Sequence, residues 1–119
     1  MKEQGFSYDI EMVEKEEKES KNYLIYLKDN PIGCIRYRKY EDGYKIERFA
    51  LLKEYRNKGY GKLAITYFAD MLGKAFNPCN IYLHAQENSK DFYLKCGFSV
   101  IGEAFMEGHV LHYPMIKKY

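Results

Sequence analysis

Two mostly apolar stretches, 22–28 and 32–40, are rich in tyrosine and isoleucine. Runs rich in β-branched and aromatic residues are typical of β-strands. Asp29-Asn30-Pro31 separates the stretches and predicts a tight turn, which makes them an antiparallel hairpin. A second turn at Glu41-Asp42-Gly43 leads into a third predicted strand, 44–52. The first half of the chain is therefore expected to be a β-meander.

From Gly59 to about Ala75 the apolar residues recur at intervals of three and four, which predicts an amphipathic helix. Asn77-Pro78 ends that helix. The remaining predicted elements are a strand at 80–85, a helix at 88–96 that Gly97 stops, and closing strands at 98–102 and 109–117, with a loop around Glu107-Gly108. The order β-β-β-α-β-α-β-β predicts a single α/β or α+β domain, 1–119.

Composition narrows the class of protein. The 119 residues include 46% apolar and 30% charged residues, which excludes a wholly disordered chain. Nineteen basic and seventeen acidic residues give a net charge of +2, too balanced for general nucleic-acid or membrane binding. Residues 1–20 are mostly polar and are expected to be mobile or partly helical. The sequence shows neither an apolar leader nor an apolar run long enough to span a membrane. The three cysteines are expected to be free thiols, as in a reducing compartment. We therefore expect a cytoplasmic protein.

The stretch Arg56-Asn57-Lys58-Gly59-Tyr60-Gly61-Lys62 lies between the third strand and the long helix. The first turn of a helix leaves backbone N–H groups without partners and carries partial positive charge, so it attracts anions. The two glycines allow an anion to approach this backbone closely. Lys53, Arg56, Lys58 and Lys62 add four cations. The pattern RxxGxG fits neither a Walker loop nor a dinucleotide fingerprint. By itself it is compatible with a cradle for phosphate and with a capped helix whose lysines are solvated.

RNKGYGK after ERFALLKEY resembles the pyrophosphate-binding loop of the GNAT N-acetyltransferase superfamily. FYLKCGFSVIGE, residues 92–103, resembles that family's Tyr-Glu-Lys-x-Gly-Phe segment at the right distance. The HAQ run at 84–86 and the late Glu-Gly…His112…Met115 pattern resemble an ElaA-like bacterial subgroup. The resemblance implies a mixed, mostly antiparallel sheet flanked by helices. It also implies that the family's first strand and most of its first helix are missing, which would leave 22–28 as an exposed sheet edge and favour a possible homodimer.

The resemblance implies acetyl transfer from acetyl-CoA to a primary amine of a small molecule or peptide, without a metal, by direct attack in a ternary complex. The implied contacts of the co-substrate are the loop and strand positions Ala50, Leu51, Leu52, Arg56, Asn57, Lys58, Gly59, Tyr60, Gly61 and Lys62, together with Gln86 and Ser89. Backbone groups of 57–62 would hold the diphosphate. The main chain of 50–52 would pair with pantetheine like an added strand, and an N–H near Leu51 would polarise the thioester carbonyl.

Tyr93 matches the tyrosine of the family motif, which implies a general acid that protonates the departing thiolate. Glu47 lies on the strand before the loop and is a candidate base acting through water. Its alternative role is an ion pair with Arg48 or with a neighbouring strand. His112 matches a histidine of the subgroup and is a candidate for binding the acceptor.

Three other interpretations stay open. A non-catalytic domain that binds acyl-CoA could share this fold. A small RNA-binding module could use the basic, tyrosine-rich strand at 36–39, although the balanced charge argues against nucleic acid as a partner. A metal site would need a cluster of ligands that the spacing of His84, His109 and His112 does not complete.

Overall fold

The computed structural model describes residues 10–16 and 21–119. The chain begins with an antiparallel meander of four strands: β1 (Ile10–Glu16), β2 (Lys21–Leu27), β3 (Asn30–Tyr40) and β4 (Gly43–Leu51). The second half contains α1 (Tyr60–Ala75), β5 (Asn80–Gln86), α2 (Lys90–Lys95), β6 (Ser99–Val100), β7 (Phe105–Glu107) and β8 (Val110–Lys118). Short 3₁₀ turns at Lys53–Tyr55 and Glu87–Ser89 precede the two helices.

Among the described strands, all but one of the pairings are antiparallel. These strands follow the order β1-β2-β3-β4-β5-β8-β6, and β7 pairs with β8 off this path. Within this part of the chain only β4 and β5 run parallel, with α1 connecting them. A right-handed helical crossover is the usual way to join parallel neighbours. The expected fold class, a mixed and mostly antiparallel sheet flanked by helices, is confirmed.

The core lies between the sheet and α1. Phe68 is fully buried on α1, and its ring packs edge-on against Tyr37 of β3 at a centroid distance of 5.0 Å. Ile81 and Leu83 of β5 are also buried, whereas the alternate residue His84 is not. One face of the sheet is therefore covered by the helices.

The predicted turn at Asp29-Asn30-Pro31 lies one residue too late. Lys28 and Asp29 form the turn with positive φ values of 50° and 70°, the combination that a two-residue hairpin needs. Asn30 and Pro31 belong to β3, where Pro31 lies opposite Tyr26 at a shift in the β2–β3 register. A register irregularity is one of the places where a sheet tolerates proline.

Two strands were not expected from the sequence. Residues 10–16 of the segment predicted to be mobile or partly helical form β1, and the rest of that segment lies outside the described residues. β1 pairs with β2 along its whole length, so the expectation that β2 is a bare sheet edge is wrong, and with it the stated ground for a homodimer. The loop predicted around Glu107 is the second unexpected strand, β7, which forms a hairpin with β8 through Gly108.

The last residue of the chain holds α1 against the end of the sheet. Tyr119 exchanges two backbone hydrogen bonds with Cys79, and its hydroxyl donates to Asp70 of α1. Its ring covers Gly73, where a Cβ would overlap the ring atoms. Burial and the neighbouring Asp70 carboxylate raise the pKa of Tyr119, so this contact is lost only as the pH rises far above neutrality.

We expect Gly73→Ala to lower the free energy of unfolding by about 1–3 kcal/mol, the usual cost of overpacking. Urea unfolding measures this. Gly61→Ala in the same helix is the matched control, because a Cβ there approaches nothing closer than 3.4 Å. The cost should shrink in a Tyr119→Ala background, and an unchanged urea midpoint for Gly73→Ala would contradict the packing described.

Candidate active site

The parallel strands β4 and β5 separate towards their carboxyl ends. Their pairing stops at Ile46 and Leu83, although β4 continues to Leu51 and β5 to Gln86. Beyond that point each strand has an unpaired edge that faces the other across a gap. Ligands of sheets with parallel strands bind at such carboxyl ends.

A β-bulge at Glu47 marks the start of the gap. Arg36 of β3 lies opposite Arg48, and the next β3 residue, Tyr37, lies opposite Ile46, so Glu47 is an extra residue on β4. Bulges bend a strand and redirect a side chain, often next to active sites. The redirected Glu47 carboxylate accepts a hydrogen bond from Arg38 Nε at 2.5 Å.

Downstream of the bulge, the backbone of Leu51 faces the gap. A Cβ at Gly33 of β3 would collide with the carbonyl oxygen of Ala50, so that carbonyl points towards β3. Leu52 N also points to β3, donating to Ile32 O at 2.7 Å. Because backbone groups alternate along a strand, the N–H and carbonyl of Leu51 point the other way.

The loop after β4 is built as the sequence predicts. Asn57 and Gly59 adopt positive φ values of 60° and 88°, and Gly59 is the N-cap of α1. The side chain of Arg56 folds back, its Nε donating to Leu51 O at 3.0 Å. The N–H groups in the first turn of α1 have no hydrogen-bond acceptor within the helix. Gly61 and Lys62 of this turn line a cavity together with Leu51 at the end of β4.

Two cavities of about 540 and 550 Å³ meet in the gap. The first, called here the histidine cavity, is lined by Lys45, Ile46, Glu47, Arg48, Phe49, Leu83, His84, Ala85, Gln86, Ser89, Tyr93, Glu107 and His112. The second, the loop cavity, is lined by Phe49, Ala50, Leu51, Arg56, Asn57, Gly59, Gly61, Lys62, Asn88, Ser89, Phe92 and Tyr93. Phe49, Ser89 and Tyr93 line both. A molecule bound in each would meet the other at these three side chains.

Tyr93 is held by apolar packing. Its ring packs edge-on against Phe92 and Phe98 at centroid distances of 5.1 and 5.9 Å. Its backbone carbonyl accepts hydrogen bonds from Cys96 N and Phe98 N, both at 3.0 Å. Burial raises the pKa of Tyr93 to about 12, so the phenol keeps its proton throughout the physiological range.

Two histidines line the first cavity. His84 Nδ1 lies 3.5 Å from a carboxylate oxygen of Glu107, and the ring of Phe105 lies between His84 and His112. Burial and the nearby charge of Lys45 lower the pKa of His84, against the opposing effect of Glu107. His84 is therefore neutral near pH 7, with one ring nitrogen able to accept a proton. The Nδ1 of His112 lies 2.9 Å from Val110 O, an acceptor, which assigns the proton to Nδ1.

The structure brings most of the predicted site residues to this gap. Glu47, Gln86 and His112 line the histidine cavity, whereas Ala50, Leu51, Arg56, Asn57, Gly59, Gly61 and Lys62 line the loop cavity. Three predicted residues line neither cavity, although each is adjacent in the sequence to one that does: Leu52, Lys58 and Tyr60. Leu52 is half exposed, and Tyr60 packs against Tyr55 at 6.3 Å. The roles of all these residues stay predictions.

Ten wall residues were not among the predicted site residues: Lys45, Ile46, Arg48, Phe49, Leu83, His84, Ala85, Asn88, Phe92 and Glu107. Phe49 and Phe92 stack at 6.3 Å and form the floor of the loop cavity, and Asn88 lies on its rim. Glu107 reaches His84 only because β7 folds back onto β8. The alternation of β4 could have placed Phe49 on the same face as Leu51, but nothing local announces the contact of Glu107 with a residue 23 positions earlier.

The family model for the acetyltransferase (GNAT) domain matches residues 2–119. The N-acetyltransferase YjcF of Bacillus subtilis, itself uncharacterized, is 30% identical over 109 residues, which is 90% of this chain and 76% of that protein. Escherichia coli ElaA shares the fold, with a TM-score of 0.72 at 20% identity over 83% of this chain and 68% of that one. Arabidopsis thaliana Naa50, solved with the bisubstrate analogue CoA-Ac-MVNAL, is 31% identical with a TM-score of 0.66, over 82% and 72% of the two chains.

The chain belongs to the GNAT family and is an acetyltransferase. The family recognised from the loop and from the segment 92–103 is thereby confirmed, and a non-catalytic domain on this fold is disfavoured. Within residues 21–119, no three histidine, cysteine, aspartate or glutamate side chains group closely enough to hold a metal ion. Neither α1 nor α2, the helices of the described chain, has the length and apolar character of a membrane span.

We expect the pKa of His84, followed by an NMR titration, to lie below the ordinary histidine value of about 6.5. Lys45→Gln should raise the pKa of His84, and Glu107→Gln should lower it further, because these charges act with opposite sign. Since the folded state disfavours the charged form, His84 should reduce stability as the pH falls below its unfolded value of about 6.5. A His84 resonance that titrates at or above the ordinary histidine value would contradict this environment.

Proposed function

We propose that this acetyltransferase moves the acetyl group of acetyl-CoA to a primary amine by direct attack within a ternary complex. The observation that carries the proposal is the meeting of the two cavities at Phe49, Ser89 and Tyr93. The loop cavity would take the co-substrate and the histidine cavity the amine. The acetyl carbon would then lie at their junction.

The loop cavity fits a pantetheine diphosphate in two ways. The first turn of α1 offers free N–H groups at Gly61 and Lys62 to the diphosphate. The unpaired edge of β4 offers the backbone of Leu51 to the pantetheine amides, as an added strand would be held. The Leu51 N–H also supplies a donor for the thioester oxygen, and one such donor is typically worth about 10²–10³ in rate.

The histidine cavity supplies a base. An amine attacks only as its neutral form, so its ammonium must first lose a proton. His84 is neutral and is held near Glu107, whereas the carboxylate of Glu47 is engaged by Arg38. We therefore favour His84 over the sequence candidate Glu47 as the proton acceptor, directly or through one water.

The amine lone pair forms the new C–N bond and the carbonyl π electrons move to oxygen, where the Leu51 N–H stabilises them. Collapse of this intermediate breaks the C–S bond and releases CoA thiolate. The nitrogen gives up its second proton to solvent as Tyr93, the general acid, donates its own proton to the sulfur. Solvent returns a proton to the Tyr93 oxygen, which restores the phenol. The products are the acetamide and free CoA thiol.

We expect Tyr93→Phe to reduce kcat by about 10²–10⁴, the usual contribution of a positioned acid. CoA affinity should stay within a factor of about three, because the ring and its packing remain. Thiol release in the presence of an amine panel gives the rate, and calorimetry with CoA gives the affinity. Tyr55→Phe is the matched control, since Tyr55 lies outside both cavity walls. An unimpaired Tyr93→Phe enzyme would remove Tyr93 from the chemistry.

Gly61→Ala tests the cradle separately. Its Cβ would lie 3.4 Å from Phe92 Cζ and 3.6 Å from Leu51 Cδ1, an ordinary contact, so folding should be unaffected. The methyl would nevertheless occupy the floor of the loop cavity. We expect CoA affinity to fall by about 10-fold or more, as when a close backbone approach is blocked. Calorimetry with CoA decides, and wild-type affinity in a folded Gly61→Ala protein would place the diphosphate elsewhere.

A further inference from the structure

The wall of the histidine cavity carries more uncompensated positive than negative charge. Its two carboxylates are both engaged: Glu47 with Arg38 at 2.5 Å and Glu107 with His84 at 3.5 Å. Its two cations, Lys45 and Arg48, make no ion pair with any residue in the described part of the chain. The Lys45 ammonium lies 5.5 Å from the centroid of the Tyr40 ring.

Arg48 lies on the face of the sheet opposite α1. The register of β3 and β4 sets it directly across from Arg36. Ile35 and Tyr37, the neighbours of Arg36, are buried under α1, so Arg36 points to the other face of the sheet, and its cross-strand partner Arg48 shares that face. Arg48 also lines the histidine cavity, so an anionic group bound there would meet its guanidinium.

The positive charges of Lys45 and Arg48 do not suit an acceptor whose own charge is only positive. An acceptor with one or more ammonium groups and no anionic group would meet Lys45 and Arg48 at like charge. An acceptor that carries an anionic group would place it beside these two residues. Its amine would then lie near the neutral His84 on the opposite strand of the gap.

We propose that the acceptor is a small amine bearing an anionic group, a carboxylate or a phosphate, which Lys45 and Arg48 bind. This inference rests on the proposed acetyl transfer and names the substrate class of the same site. Lys45 and Arg48 are specificity-determining residues in this assignment. The reaction is unchanged, because the anionic group is bound and takes no part in the bond changes.

Matched acceptors test the assignment. n-Propylamine, β-alanine and 2-aminoethyl phosphate present a primary amine on short chains that end in a methyl group, a carboxylate and a phosphate. Spermidine serves as the polycationic comparison. We expect kcat/KM for thiol release to be at least about 10-fold higher with an anionic acceptor than with n-propylamine. The two anionic acceptors distinguish carboxylate from phosphate recognition.

Substitutions of the two cations test whether they bind the anionic group of the acceptor. Arg48→Gln and Lys45→Gln should each lower kcat/KM for the anionic acceptor by about 10- to 100-fold, the range of a charged hydrogen bond. Their effect should appear mainly in KM for the anionic acceptor, and in Arg48→Gln the kcat/KM for n-propylamine should fall by much less than that for the anionic acceptor. Lys39→Gln is the matched control, because Lys39 is an exposed cation on the same β3 hairpin that packs over Tyr44 outside both cavities.

Failure of this inference differs from failure of the proposed function. Without CoA binding, or with no thiol release from any amine, the proposed function fails. With CoA bound, calorimetric titration of each amine into the CoA complex gives the preference even where turnover is slow. Equal or better use of n-propylamine or spermidine, no binding of either anionic amine, or unchanged selectivity in Arg48→Gln would overturn the assignment.

Discussion

The separation of β4 from β5 is the feature on which the site depends. A continuous parallel pair would satisfy every backbone group between the strands and leave no space for a ligand. Here the pairing ends at Ile46 and Leu83, yet both strands continue. The unpaired edge of β4, the first turn of α1 and the side chains of α2 all open into the resulting gap.

The bulge at Glu47 affects both the separation of β4 from β5 and the placement of the charged side chains on β4. One extra residue bends β4 away from β5 and changes which residues face each sheet surface. Without it, Glu47 instead of Arg48 would stand opposite Arg36, an opposite-charge pair of the stabilising kind. The fold instead sets two arginines against each other and directs Glu47 to Arg38.

Sequence reasoning succeeded where the signal is local. The change to a helical period at Gly59 located α1, and the glycines at 59 and 61 located the loop that lines one cavity, because both depend on neighbouring residues. Sequence reasoning failed where the structure depends on distant pairing. Four of the seven β1 residues are charged, and the strand is defined by its register with β2. Glu107 likewise reaches His84 through the β7–β8 hairpin, which no local pattern encodes.

The packing that fixes Tyr93 also sets its chemistry. Phe92 and Phe98 enclose the ring, and the same burial raises the pKa of Tyr93 to about 12. An ordinary thiol has a pKa of about 8.5, so complete transfer of the phenolic proton to a free thiolate is uphill by about 5 kcal/mol. In the proposed reaction, Tyr93 would donate a hydrogen bond while charge develops on sulfur, and would complete the proton transfer only as a proton from the amine replaces its own. The apolar core keeps the Tyr93 phenol protonated at working pH, which the proposed role of general acid requires.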